Sequence, residues 1–246
     1  MKAPSAAELL AIWERGASLL PAEHAKMLIE AVFPEKSAPE LAELTIGQRD
    51  SFLFALRDIL FGQEIVCLSV CPGCNKNVEM AFTSADLRAK AGSEQQKDNL
   101  LSLERSRYSV RFRLPNISDL MAISGCRDTN MARSMLLMRC LISASENGAE
   151  MALGQLPQDV MKELVDDMAR ADPLADIQFM LVCPFCGRKW QVVFDIVSIL
   201  WSEIDAWAHR TLREVHTLAL SYGWSESDIL ALSPSRRQIY LDMVGM

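Results

Sequence analysis

Four of the seven cysteines stand in two matched knuckles, Cys71-Pro-Gly-Cys74 and Cys183-Pro-Phe-Cys186. Each C-P-x-C lies between two extended-looking runs. Four thiolates on Zn²⁺ fill a tetrahedral shell and leave no open position, so the chemistry this set predicts is structural rather than catalytic. Asn75 and Gly187 follow the two second cysteines. Both residue types tolerate a left-handed backbone, as a tight knuckle with N–H groups aimed at sulfur requires. Residues 75–182 between the pairs make a far longer connection than a compact ribbon has. A shared Zn²⁺ would pin two distant segments together and leave the chain between them as an insertion. The competing reading is two independent pairs, redox dithiols or buried thiols, although the βαβ pattern around a thioredoxin-like motif is missing. Cys67, Cys126 and Cys140 read as small core residues. His209 and His216 share a helix face with no further ligand near them, and His24 stands alone.

The elements that must position the knuckles follow from pattern. Ser5 and Glu8 have capping-box spacing ahead of Leu9, Leu10 and Trp13, and Pro21 suits the start of a second helix. Residues 35–43 read as a linker. Thr45 and Gln48 cap a helix with Phe52, Leu53, Leu56, Ile59 and Leu60 on one face, stopped by Gly62. Strands flank the first knuckle at 64–70 and 76–82, and 89–106 reads as an exposed polar loop. Alternation in RSRYSVRFRLP predicts a strand with Arg105, Arg107, Arg111 and Arg113 on one face. That face could dock an acidic partner or be solvated and paired internally. Helices are expected at 117–125, 129–144 and 157–171, starting at Asn116, Asp128 and Pro157. The last fifty residues read as helical, with breaks at Gly223 and at Ser233-Pro234.

The expected fold is α+β and mostly helical. It holds a split zinc ribbon formed by the two CPxC knuckles, with a long, largely helical insertion and a C-terminal helical segment. The expected divisions are 1–44 (N-terminal helices), 45–87 (helix and first knuckle), 88–175 (insertion of loop, basic-faced strand and helices), 176–195 (second knuckle) and 196–246 (C-terminal helices).

Composition narrows the function. The 246 residues are 50% hydrophobic, enough for a sizeable core, and carry a net charge of −7. An acidic chain lacks the basic footprint of a general nucleic-acid binder. A zinc-ribbon regulator that binds nucleic acid through the arginine strand is the alternative reading. No apolar run approaches the roughly 20 residues of a membrane helix, and the first residues lack a signal-peptide core. No phosphate-loop, dinucleotide, zinc-protease or nucleophile-elbow pattern occurs, and three histidines with no patterned carboxylate pair suggest no active site. Neither an enzyme nor a small-molecule substrate is expected.

Several stretches carry a resemblance: ELLAIWERGASLLPAEHAKMLI, LTIGQRDSFLFALRDILFGQEIVCLSVCPGCNKNVEM, and the run from CPFCGRKW to SPSRRQIYLDMV. Together they resemble the T4-type baseplate hub assembly proteins of contractile phage tails and of phage-tail-like injection systems. The resemblance implies a structural or assembly protein, chaperone-like, that binds baseplate hub or wedge proteins. It would be found in the cytoplasm during assembly or in the finished particle. It places Arg49 and Asp50 in a first helix motif, and Tyr222, Trp224, Asp228, Arg236 and Arg237 in a C-terminal one. Residues 88–160 resemble nothing named. Trp201 and Trp207 lie on different sides of the long C-terminal helix. One side is expected to face the ribbon and the other a partner, where Trp is favoured; both in the core is the competing reading.

Overall fold

A computed structural model describes residues 3–90 and 100–245. In chain order its elements are α1 (Ala6–Gly16), α2 (Pro21–Val32), α3 (Ala38–Ala42), α4 (Ile46–Phe61), β1 (Glu64–Val70), β2 (Asn77–Thr83), α5 (Ser84–Lys90), β3 (Leu100–Arg105), β4 (Tyr108–Arg113), α6 (Ile117–Ile123), α7 (Thr129–Cys140), β5 (Leu141–Glu146), β6 (Ala149–Met151), α8 (Gln158–Ala171), β7 (Ile177–Val182), β8 (Lys189–Phe194), α9 (Ile196–Tyr222), α10 (Glu226–Ala231) and α11 (Pro234–Met243). The class is mixed α+β, with helix the larger share. The chain divides into two compact units, one from residues 1–34 and 197–246, the other from 35–196.

The first unit is all helix. Ser5 and Glu8 form the expected capping box of α1. α1 buries Leu9, Leu10 and Ile12, and α2 buries Ala25, Leu28 and Ile29. α9 presents Leu200, Ile204, Ala208, Thr211, Val215 and Leu218 inward, the 3.6-residue stripe of a core-facing helix. Gly16 lies tight against this helix: a Cβ there would lie 2.0 Å from the Trp201 ring. Trp201 in turn stacks on the buried His24, centroids 3.7 Å apart and planes within 8°. Gly16→Ala is therefore expected to push Trp201 off His24 and to cost about 1–3 kcal/mol, the usual penalty for overpacking. A thermal melt followed by tryptophan fluorescence reads both effects.

The second unit holds three antiparallel sheets: the hairpins β1-β2 and β7-β8, and a four-stranded sheet in the order β3-β4-β5-β6. The larger sheet packs on α8 through Leu103, Val110, Phe112, Leu141, Ala144, Val160, Leu164 and Met168.

This sheet corrects several expectations. The polar run at 100–105 is strand β3 rather than loop, because Leu101 and Leu103 alternate toward the core; residues 91–99 of that expected loop lie outside the described residues. The helix expected over 129–144 ends at Cys140, and Leu141–Glu146 pairs with β4 instead. The insertion is thus less helical than expected. Arg105 belongs to β3 and Arg107 to the turn, so the four arginines share no single strand face. Three are held by acids of the same unit: Arg105 by Glu163, Arg107 by Glu146 at 2.8 Å, and Arg113 by Asp119. The linker expected at 35–43 contains α3, whose Ser37 N–H donates to Glu40. α4 buries only part of the apolar face its spacing suggested, with Phe52 and Leu60 half-buried. Leu53, Phe54 and Leu56 are buried together with Arg49, Asp50 and Arg57, whereas Ile59 is 54% exposed.

Candidate metal centre

Each knuckle is built by its own hairpin, and the two hairpins repeat one hydrogen-bond pattern. The Cys71 N–H donates to the Lys76 carbonyl at 2.9 Å and the Asn75 N–H to the Cys71 carbonyl at 2.9 Å. In the second knuckle Cys183 N–H reaches Arg188 O and Gly187 N–H reaches Cys183 O, again at 2.9 Å. Asn75 (φ 57°) and Gly187 (φ 71°) take the left-handed conformation that the turn demands. The Gly73 N–H points at Cys71 Sγ, 3.4 Å away.

The hairpins face each other. Phe82 of β2 packs on Phe179 of β7 and Phe194 of β8, with centroids 4.9 and 5.3 Å away, and Phe54 of α4 stacks on Phe194. Around the cysteines, Val78 and Trp190 close a small apolar cluster, and the Trp190 indole donates to Ser69 Oγ.

This packing brings all four knuckle sulfurs within 4.8 Å of one another. Two of the pairs that run between the knuckles are Cys71–Cys186 at 3.7 Å and Cys74–Cys183 at 3.6 Å. A tetrahedron with Zn–S bonds of about 2.3 Å sets its sulfurs about 3.8 Å apart. The donor set and spacing therefore fit a tetrahedral thiolate-bound metal ion. One shared cluster of four thiols, rather than two pairs held apart, is the arrangement the structure shows.

The electrostatics point the same way. Burial pushes the Cys71 thiol up, but N–H groups of Gly73 and Cys74 and the thiols of Cys183 and Cys186 outweigh it, taking its pKa down to about 6. Cys186 receives the Arg188 N–H, which favours its thiolate, yet burial and the three neighbouring sulfurs push it up to about 12. Without a cation the cluster cannot hold four negative sulfurs. With one bound, coordination deprotonates them.

The remaining cysteines and histidines are not part of this cluster. Cys67 and Cys140 are buried, and Cys126 is half-buried with Sγ 3.3 Å from the Asp128 carbonyl. His209 sits on the helix surface beside Asp205, its ring edge-on to Trp13. His24 is a buried core residue hydrogen-bonded to Gly16 O at 2.8 Å, a role that nothing in its sequence surroundings signalled.

The residues tied to partner contact separate into two groups. Arg49, Asp50 and Arg237 are buried and engaged within the chain, Arg49 with Asp50 at 2.6 Å and Arg237 with Glu214 at 2.7 Å. Trp201 is held against His24 in the first unit. Trp207 is half-buried. Tyr222, Trp224 and Tyr240 form an aromatic group at the surface, with the Arg236 guanidinium 5.8 Å from the Tyr240 ring centre.

The Asp50 environment has a consequence for pH. Burial raises its pKa from 3.8 to about 6 against the pull of Arg49, with Asp195 and Asp172 adding to the rise. A raised carboxylate favours the fold below its unfolded pKa and loses that contribution as pH climbs through 6. Asp50→Asn is expected to gain on wild type between pH 4 and 7, by up to about 3 kcal/mol at 1.36 kcal/mol per unit. Urea unfolding of both proteins across that range checks it.

A sequence model of the family described as T4 bacteriophage base plate protein matches residues 9–201. The chain belongs to this family. The match takes in both knuckles and also residues 88–160, which carried no resemblance of their own. It stops short of the Tyr222–Arg237 ending. No curated protein and no solved structure matches the chain. Membership in the base plate family makes it a baseplate protein associated with a phage-tail particle and with other baseplate proteins. Among the described residues no helix is long and apolar enough to cross a membrane.

Proposed function

We propose that this chain is a structural or assembly protein of a contractile, phage-tail-like baseplate, chaperone-like in action, and that it catalyses no reaction. Its contacts are hub or wedge proteins, made in the cytoplasm during assembly. Cys71, Cys74, Cys183 and Cys186 hold one structural Zn²⁺. The ion would supply no reactive position; it fixes the two hairpins against each other, and through them residues more than a hundred positions apart. The observation that carries this reading is the thiol cluster inside a chain matched to the base plate family over residues 9–201.

The partner surface is proposed at Trp207, Tyr222, Trp224 and Arg236, large side chains of the kinds enriched at binding hot spots. Arg237 and Trp201, held within the same unit, would stiffen the helices that carry it; Arg49 and Asp50 are proposed to act by fixing α4 in the second unit. The nucleic-acid alternative is weakened because three of the four arginines it needs, Arg105, Arg107 and Arg113, are paired with acids of the same unit.

Deletion from the producing genome should abolish complete contractile particles, with hub or wedge proteins accumulating unassembled. Intact, contractile particles from the deletion strain would refute the assignment.

A further inference from the structure

The inner faces of the two hairpins pack on each other, so their outer faces point away. A solvent-facing side of an antiparallel pair is ordinarily polar. Here half of it is apolar. On β7-β8 the outward residues Met180, Val182 and Val193 are 53–67% exposed and share the face with Gln178, Gln191 and Lys189. Exposed apolar residues grouped between charged ends mark a candidate interaction site.

The rim of this face is dipolar. Lys189 stands exposed at the knuckle end; Asp176 and Asp195 stand exposed at the far end. Lys189 pairs with Val182, and Val193 with Gln178, so the apolar residues lie between the two charged ends. Turned end for end and laid on itself, the face sets its basic end on the acidic end of its copy twice over. The middles then meet, with Met180 and Val193 beside the hydrogen-bonded Gln178 and Gln191. The outer face of β1-β2 cannot do this. It also exposes Val66, Leu68 and Val70, but its charges are Glu64 and Glu79, which would repel their counterparts.

We propose that β7-β8 is a self-association surface on which a second copy of this chain docks about a two-fold axis. Such isologous pairing is the commonest symmetry among homo-oligomers. Two short strands make a small interface, at the low end of the known range, so the contact is weak and builds up with concentration. The proposal rests on hairpin geometry and charge, and stands apart from the baseplate reading.

Sedimentation velocity of the purified full chain, from about 5 to 300 μM, tests it. Wild type is expected to shift from monomer toward dimer. Met180→Glu should remain monomeric with unchanged circular dichroism. Lys189→Glu and Asp176→Lys should each be monomeric alone, because each sets like charges together. Mixed one to one they should form a heterodimer, since both ends of the mixed pair carry opposite charges. A wild type that stays monomeric throughout overturns the proposal. So does a dimer that survives Met180→Glu, or a mixture that fails to associate.

Discussion

Cys71→Ser is expected to remove the metal and to unfold the two hairpins together. Cys71 is fully buried at the junction of both knuckles, and its sulfur takes the Gly73 N–H and lies 3.7 Å from Cys186. Serine offers a poor zinc ligand in a site built for thiolates. Structural zinc contributes about 10–16 kcal/mol of apparent binding free energy in finger peptides, and in such sites binding free energy is folding free energy. A two-stranded hairpin is marginal by itself, so little would hold β1-β2 once the ion is gone. The Phe54–Phe82–Phe179–Phe194 packing that joins the hairpins to α4 should loosen with it. Cys183→Ser should behave alike. Cys67→Ser, a buried thiol outside the cluster, is the control, with a loss of about 1–2 kcal/mol as a small core residue made polar. Differential scanning calorimetry with metal analysis separates the cases. A Cys71→Ser protein that melts like wild type would contradict the staple.

Asp119→Ala should be the most costly change outside the metal centre, by about 3 kcal/mol. The carboxylate is fully buried. It receives both terminal nitrogens of Arg113, at 2.5 and 2.9 Å, the Arg139 Nε at 2.7 Å, and the Asn116 N–H at 3.1 Å. It thus closes the capping box of α6 while tying that helix to β4 and α7. Removing one partner of a buried charge pair costs about 3–5 kcal/mol because the other charge is left uncompensated. Arg113 and Arg139 keep part of their surface in water, which sets the loss near the lower bound. Asp119→Asn keeps acceptor and shape and should lose about half as much.

The same residue sets an acid limit. Burial alone would raise the Asp119 pKa, but hydrogen bonds from Arg113, the Asn116 N–H and Arg139 outweigh it and hold the group below the usual carboxylate range. A lowered carboxylate stabilises the fold above its unfolded pKa and stops doing so as pH falls through the folded one. Wild type should therefore lose stability below about pH 4, and Asp119→Ala should lose less over the same interval. Urea midpoints with unchanged slope would register both effects.

What could be read from the sequence follows physical range. Local signals succeeded. The capping boxes at Ser5 and Thr45, the glycine stop at Gly62 and the left-handed turns at Asn75 and Gly187 are all decided within four or five residues. The pairing of the knuckles across residues 75–182 was also legible, because two incomplete thiolate sets each call for the same missing half.

Long-range pairing was not. The 100–105 strand is half polar because one face is open to solvent, and a single amphipathic edge strand beside a polar stretch resembles a loop. Leu141–Glu146 continues α7 in apolar content, and only the partner β4 decides that it extends. Arg49, Asp50 and Arg237 entered through the family resemblance as candidates for partner contact, and nothing in the local pattern marked them as buried. Their acid and base partners come from one residue away and from a different helix, and burial follows only once those elements pack. Asn116 was legible as a helix start, but that reading did not reach Asp119. Its two arginines, six and twenty positions off, carried no pattern.

The most direct test of the zinc-stapled baseplate protein is the metal content of the native chain, by mass spectrometry under non-denaturing conditions with a thiol titration alongside. One zinc per chain is predicted, with four thiols protected until a chelator is added and the hairpins destabilised on its removal. A metal-free chain whose knuckle cysteines react freely, with unaltered thermal stability, would contradict it.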